Sequence, residues 1–152
     1  MMRSLLPRLS PQLSLRVQYA VSTRGLPARA QFRRWARAAL EHDAAITLRI
    51  VGQVEGLTLN RSFRGKSYAT NVLTFVLRDA APFEGDIALC APVVAREARA
   101  QRKTLFAHYA HLTIHGVLHL QGHDHDRSAA AKGMEARESA LMAKLGYADP
   151  YL

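Results

Sequence analysis

Ile114-His115-Gly116-Val117-Leu118-His119-Leu120-Gln121-Gly122-His123-Asp124-His125-Asp126 is the stretch from which the rest of this chain can be read. His115 and His119 stand four residues apart, so on a helix they lie one turn above each other, with Cβ atoms about 5–6 Å apart. Two imidazoles so placed suit one metal ion. Gly122 follows where a helix can stop and the chain reverse, because glycine meets no steric penalty at positive φ. Beyond that turn His125 can swing back as a third nitrogen ligand. Three neutral imidazoles with an open fourth position are the usual plan of a catalytic zinc site, with Zn–N bonds of about 2.0–2.1 Å. Histidine also fits because the nitrogen that does not bind metal can be held by a neighbouring acceptor.

A metal-free buried helix rich in histidine is the plain alternative, and a lone histidine would favour it. Three at this spacing, bracketed by Gly122, favour the metal. His123 competes with His125 as ligand, but it directly follows Gly122 and has less chain with which to return, which favours His125. The spacing His-x3-His-x2-Gly-x2-His is also that of the metzincin proteases, with one large departure. Where those proteases carry the Glu that acts as general base, this chain has Gly116.

Working outward, the helix that bears the motif spans about 105–121 and is apolar almost all round, with Leu112, Ile114, Val117, Leu118 and Leu120 pointing in different directions. Such a helix belongs in the middle of a fold. His108, His111, His115 and His119 fall within one narrow arc of it, and a metal-lined cleft is the economical partner for that arc. His111 is read as lining the cleft or orienting a ligand. Thr104 can cap this helix, after an Arg-studded helix over Val93–Lys103. A last helix, about 127–145, has Asp126 as a possible cap and stops at Gly146. Upstream, strands are expected near 13–20, Ala45–Val51, Asn71–Leu77 and Asp86–Cys90, the second marked by Ile46, Leu48 and Ile50 alternating with Thr47 and Arg49. A helix is expected from about 27 to 41 with Pro27 in its first turn. A short helix or loop covers 53–64, and a Pro-containing turn, Ala81–Gly85, precedes the fourth strand.

A chain of 152 residues is one domain by length. Its 49% hydrophobic and 22% charged residues are ordinary for a globular protein. A formal net charge of +9 and a pI near 10.4 are not ordinary. They point to a polyanionic partner, nucleic acid before a membrane surface, with an arginine-favouring proteome as the alternative source of the charge. Cys90 stands alone, so no internal disulfide can form and a reducing compartment is expected. No stretch of eighteen apolar residues occurs, so the protein reads as soluble. No acid precedes Glu41 while eight arginines do, which resembles an organelle transit peptide. The strand near 13–20 and the helix after Pro27 look structural, however, so a bacterial cytoplasmic protein with a loose start is preferred.

A second chemical stretch is LNRSFRGKSYATNVLTF, residues 59–75. Arg61, Arg64 and Lys66 ahead of a strand can bind phosphate, Arg through a two-pronged fork and Lys as a point charge. Read alone, a solvated basic loop fits these residues equally well. With Gly85-Asp86-Ile87-Ala88-Leu89-Cys90, His111-Leu112-Thr113-Ile114 running into HGVLHLQGHDH, and the closing Leu145-Gly146-Tyr147-Ala148-Asp149-Pro150-Tyr151, the chain resembles the YbeY family of bacterial rRNA maturation factors, which are metal-dependent endoribonucleases specific for single strands. The likeness runs from about residue 13 to the end. It implies that His115, His119 and His125 bind one zinc ion and that Arg64 matters for activity. It implies a single-domain α+β fold over 13–152, with a four-stranded mixed sheet packed with about five helices around the central metal-binding helix; residues 1–12, ahead of the first strand, are read as a flexible N-terminus. The implied partners are single-stranded RNA, ribosomal RNA and the small ribosomal subunit, not DNA or a membrane. Implied roles are maturation of the small-subunit RNA 3′ end and ribosome quality control. The departures are a short loop at about 78–84, an early end, and His123 where tyrosine is also common.

The chemistry expected is phosphodiester cleavage, with the cation activating water or polarising a phosphoryl oxygen and Arg64 offsetting charge on phosphorus. Water and a ribose 2′-hydroxyl both remain open as nucleophile. Asp124 and Asp126 are conceivable bases and equally conceivable supporting or capping residues. Two rivals stand beside the nuclease. A non-enzymatic, metal-stapled RNA-binding assembly factor is one, though three histidines without a fourth protein ligand argue against a closed structural site. A zinc peptidase is the other and ranks lower, because it predicts a Glu at position 116.

Overall fold

The alternation of Ile46, Leu48 and Ile50 with Ala45, Thr47 and Arg49 builds β2 (Ala44–Val51), an inner strand of the sheet. We describe residues 10–123 and 128–152 from a computed structural model. Parallel to β2 on its two sides lie β1 (Leu13–Tyr19) and β4 (Phe83–Cys90), and β3 (Val72–Arg78) runs antiparallel to β4. The sheet is therefore four-stranded and mixed, in the order β1-β2-β4-β3. Register pairs Val17 with Leu48 and Leu48 with Ile87, so one face presents a continuous apolar surface.

Helices α1 (Arg29–Ala38), α2 (Gln53–Arg64), α3 (Ala91–Ala100), α4 (Leu105–Leu120) and α5 (Ser128–Lys144) surround it, five among the described residues. The α+β expectation is met. α4 begins where the Thr104 hydroxyl accepts the Ala107 N–H at 3.1 Å. From His108 to Leu120 every residue of α4 is buried except His115 and His119. Ile114, Leu118 and Leu120 are each 0% exposed, and burying such a side chain stabilises by about 1.5–3 kcal/mol. The apolar burial fixes the helix so that only two imidazoles reach its surface along that run.

Several boundaries differ from expectation. α1 is shorter than 27–41, and Pro27 precedes its cap, where its carbonyl accepts the Tyr19 hydroxyl at 2.6 Å. α2 is a full helix of 12 residues where a short helix or loop was equally expected. Its Gly56 reads as a breaker in sequence, yet a Cβ there would come within 2.8 Å of Cys90 Sγ, so the glycine serves close packing. β4 starts at Phe83, earlier than Asp86, which shortens the turn at Pro82. The free edge of β1 is covered by Arg29 and Arg33, which donate to the carbonyls of Val17 and Leu15, each at 3.3 Å.

Candidate active site

α2 ends on Gly65, whose φ of +67° only glycine adopts without strain, and its N–H returns to the Arg61 carbonyl at 3.1 Å. Asn60, 0% exposed, donates from Nδ2 to the Tyr68 carbonyl at 2.5 Å and folds the following loop back against the helix. That loop leads into β3. The result is a cleft of about 320 Å³ lined by Arg64, Thr70, Asn71, Thr74, His115 and His119. Arg64 thus sits in the last turn of α2, exposed to solvent, and shares one cleft with two of the expected ligands. Arg61 and Lys66 are exposed and do not line it.

Beneath the cleft the histidines of α4 form a ladder, with ring centroids 6.4 Å apart from His108 to His111, 6.4 Å to His115 and 6.5 Å to His119. They do not share one partner. His108 contacts Glu97 at 2.8 Å, and burial lowers its pKa although Glu97 opposes the shift. His111 and His115 meet Glu138 of α5, through Nε2 at 2.5 Å and Nδ1 at 3.2 Å. Glu138 is 0% exposed. Burial would raise its pKa, but hydrogen bonds from His111, His115 and Tyr151 outweigh that and hold the carboxyl well below its usual range. An ionised carboxylate only accepts, so the nitrogens facing it carry hydrogen. His115 therefore turns its Nδ1–H to Glu138, which makes Nε2 the nitrogen suited to a cation.

His125, the third expected ligand, lies outside the described residues, as do Asp124 and Asp126. Among the described residues no three His, Cys, Asp or Glu side chains converge as a metal cage. His123 is engaged elsewhere, its Nε2 2.8 Å from Glu41 Oε1. Gly116 faces the sheet, where a Cβ would stand 3.1 Å from two carbons of Ile87. A Glu at that position would meet packed core, not the cleft, which removes the geometric basis of the peptidase reading.

The sequence profile described as Endoribonuclease YbeY matches residues 21–146. This chain belongs to the endoribonuclease YbeY family. A protein named Endoribonuclease YbeY from Nitrosospira multiformis is 57% identical over 155 residues, covering 92% of this chain and 82% of the relative. Another of that name, from Methylobacillus flagellatus, is 57% identical over 141 residues, covering 93% and 95%. A Thermotoga maritima protein known from its solution structure shares the fold, with a TM-score of 0.55 and 23% identity over 87% of this chain and 91% of that one. The span matched to YbeY holds Arg64, His115, His119, His125 and Glu138, whereas Tyr151 lies beyond it.

Three residues of this YbeY site were given no role by the sequence reading. Glu138 left one signal: it shares the i, i+4 register with Met134 and Met142, apolar residues of the buried face of α5. Asn60 belongs to the 59–75 stretch that carries the family resemblance, but nothing in it shows that its side chain folds the loop back. Tyr151, whose hydroxyl donates to Glu138 at 2.8 Å, stands in the closing stretch that carries the family resemblance, but nothing in that stretch ties it to Glu138.

Proposed function

We propose that this YbeY-family protein is a zinc-dependent endoribonuclease that cuts single-stranded RNA, acting in the bacterial cytoplasm on ribosomal RNA at the small-subunit 3′ end and in ribosome quality control. The observation that carries the reading is the single cleft lined by Arg64, His115 and His119. The donor chemistry fits a zinc ion, since His115 already directs Nδ1–H to a buried carboxylate. Such an ion, held by His115, His119 and His125, would lower the pKa of a bound water or polarise a phosphoryl oxygen.

The protein's own residues supply the rest. Arg64 grips the phosphate through its planar fork and offsets the charge that grows as a fifth oxygen closes on phosphorus. Glu138 keeps the proton on Nδ1 of His115 and, tied also to His111, fixes the ring. A cleft of about 320 Å³ suits one splayed nucleotide, whereas a duplex keeps its strands paired and its phosphates on a rigid A-form frame.

The test is incubation of the purified protein with single-stranded RNA, with and without chelator, while circular dichroism follows the fold. Cleavage lost on chelation with the fold kept supports catalysis. Unfolding on chelation, with no cleavage at any time, would make the ion a staple in an RNA-binding assembly factor. The packing of Met134, Leu141 and Met142 of α5 in the same apolar core as α4 argues that these helices dock without an ion.

A further inference from the structure

Beside the cleft lies a second pocket of about 410 Å³, within the range of sites that take small ligands. Asn71 lines both, so the two are neighbours at the start of β3 and along the ladder of α4. His115 and His119 line the first; His111 and His108, one and two turns before His115, line the second. The lining of the second pocket mixes two chemistries. Asn71, Gln101 and Lys103 bring hydrogen-bonding groups, and Leu112, Pro150 and Tyr151 bring apolar surface.

Its charge argues against a phosphate. Glu97 lines it, bound to His108 at 2.8 Å and to Asn71 at 3.0 Å, and Glu138 lies behind His111. Lys103 is partly spent on the Pro150 carbonyl, to which Nζ donates at 2.7 Å. Polar edge groups beside a flat ring are the means by which proteins hold an unpaired base, through its hydrogen-bonding edge and its face. Tyr151 is 44% exposed as a residue, yet its ring is fixed in place. Its hydroxyl reaches Glu138 at 2.8 Å, and its plane stands at 85° to that of His111. Lys103 on the Pro150 carbonyl and Asp149 on Ser139 at 2.9 Å pin the segment that carries it. A platform set before binding loses little freedom when a base arrives.

We infer that this pocket holds the unpaired base of a nucleotide adjacent to the scissile phosphate, stacked on Tyr151 and met at its edge by Gln101. The inference rests on the endoribonuclease reading and adds a cause for its single-strand preference: the neighbouring base must leave its duplex partner to enter.

The experiment measures kcat/KM on single-stranded RNAs of one sequence in which an abasic residue is moved along the strand. The enzymes compared are the zinc-loaded wild type, Tyr151→Phe and Tyr151→Leu. The expected result is a penalty of about 5- to 100-fold at one position next to the cut in the wild type. Tyr151→Phe keeps the ring and the penalty; Tyr151→Leu abolishes the penalty. A wild type with no position-specific penalty overturns the inference while leaving the nuclease reading intact. So does a penalty that persists in Tyr151→Leu, or one that Tyr151→Phe loses equally, since the phenol would then act through Glu138. Should Tyr151→Leu fail to fold, Gln101→Ala decides: a reduced penalty at the same position supports the pocket, and an unchanged one rejects it. A wild type that cuts no intact strand rejects the nuclease reading and the inference together.

Discussion

Glu138 is a buried carboxylate whose neighbours are two imidazoles and a phenol, and the hydrogen bonds these donate lower its pKa and favour the ionised form there. Its effect on a metal passes through His115. Glu138→Gln keeps the shape but presents one oxygen and one amide nitrogen to two N–H donors, so one contact is lost. Metal affinity is expected to fall about 10- to 100-fold, read by competition with a chromogenic chelator. Melting in excess chelator separates this from any loss of fold. Unchanged affinity would mean that His115 does not take the ion through its other nitrogen. Arg64 is the complementary case, an exposed cation in the same cleft. Arg64→Ala is expected to retain the metal and lose cleavage, whereas Arg64→Lys keeps a charge without the fork and recovers only part of the rate. A variant lacking the guanidinium that cuts RNA normally removes Arg64 from the reaction. At this scale the sequence announced what a motif can carry, the imidazole spacing and the arginine. It hid Glu138, because a carboxylate in an alanine-rich helix looks solvated until the partner helix is known.

Where α3 meets α4, His108 pairs with Glu97, and burial dominates its titration. The groups facing it are Glu97, His111 and Lys103. Its folded pKa lies below the ordinary 6.5, so the unfolded chain takes up a proton that the folded chain resists. Stability is therefore full above about pH 6.5 and declines as pH falls below it toward the folded pKa. The metal-free protein in chelator should melt progressively lower from pH 7 to 5, and His108→Gln should flatten that part of the curve. A wild-type slope unchanged by the substitution assigns the effect to another group. Legibility at the scale of elements followed periodicity. α4, with its polar arc and its threonine cap, was visible because a fully buried helix repeats its pattern over many turns. α2 and the start of β4 were blurred by glycines that look like punctuation. Gly56 makes room for Cys90, and at Gly85 a Cβ would meet Leu120 and the Phe75 carbonyl, each at 2.5 Å. Such close approaches between distant segments are tertiary facts, and no local window contains them.

Over the whole molecule, 21 basic residues against 12 acidic ones first suggest a strongly salt-sensitive grip on RNA. The structure divides that charge. Arg29 and Arg33 cover the edge of β1, with Arg29 also over the Tyr19 ring at 5.0 Å; Arg49 is paired with Glu55 at 2.7 Å, and Arg137 lies 3.5 Å from Glu41. These cations serve the fold or balance local acids, so the net charge overstates what meets a phosphate chain. Near the cleft, among the described residues, the candidates reduce to Arg64 and the exposed Arg61 and Lys66 of the same segment. On a single strand, the slope of log affinity against log salt is about −0.7 per phosphate neutralised. Three or so contacts then give a slope of about −2, far shallower than the formal charge implies. Titration of a fluorescent single-stranded RNA at several potassium concentrations checks this. Arg64→Ala should reduce the slope by about 0.7, and Arg33→Ala should leave it unchanged while weakening the edge of β1. A slope near −6, or one that Arg33→Ala lowers as much as Arg64→Ala does, would mean that RNA wraps the α1 side of the molecule and that the cleft holds only part of the strand.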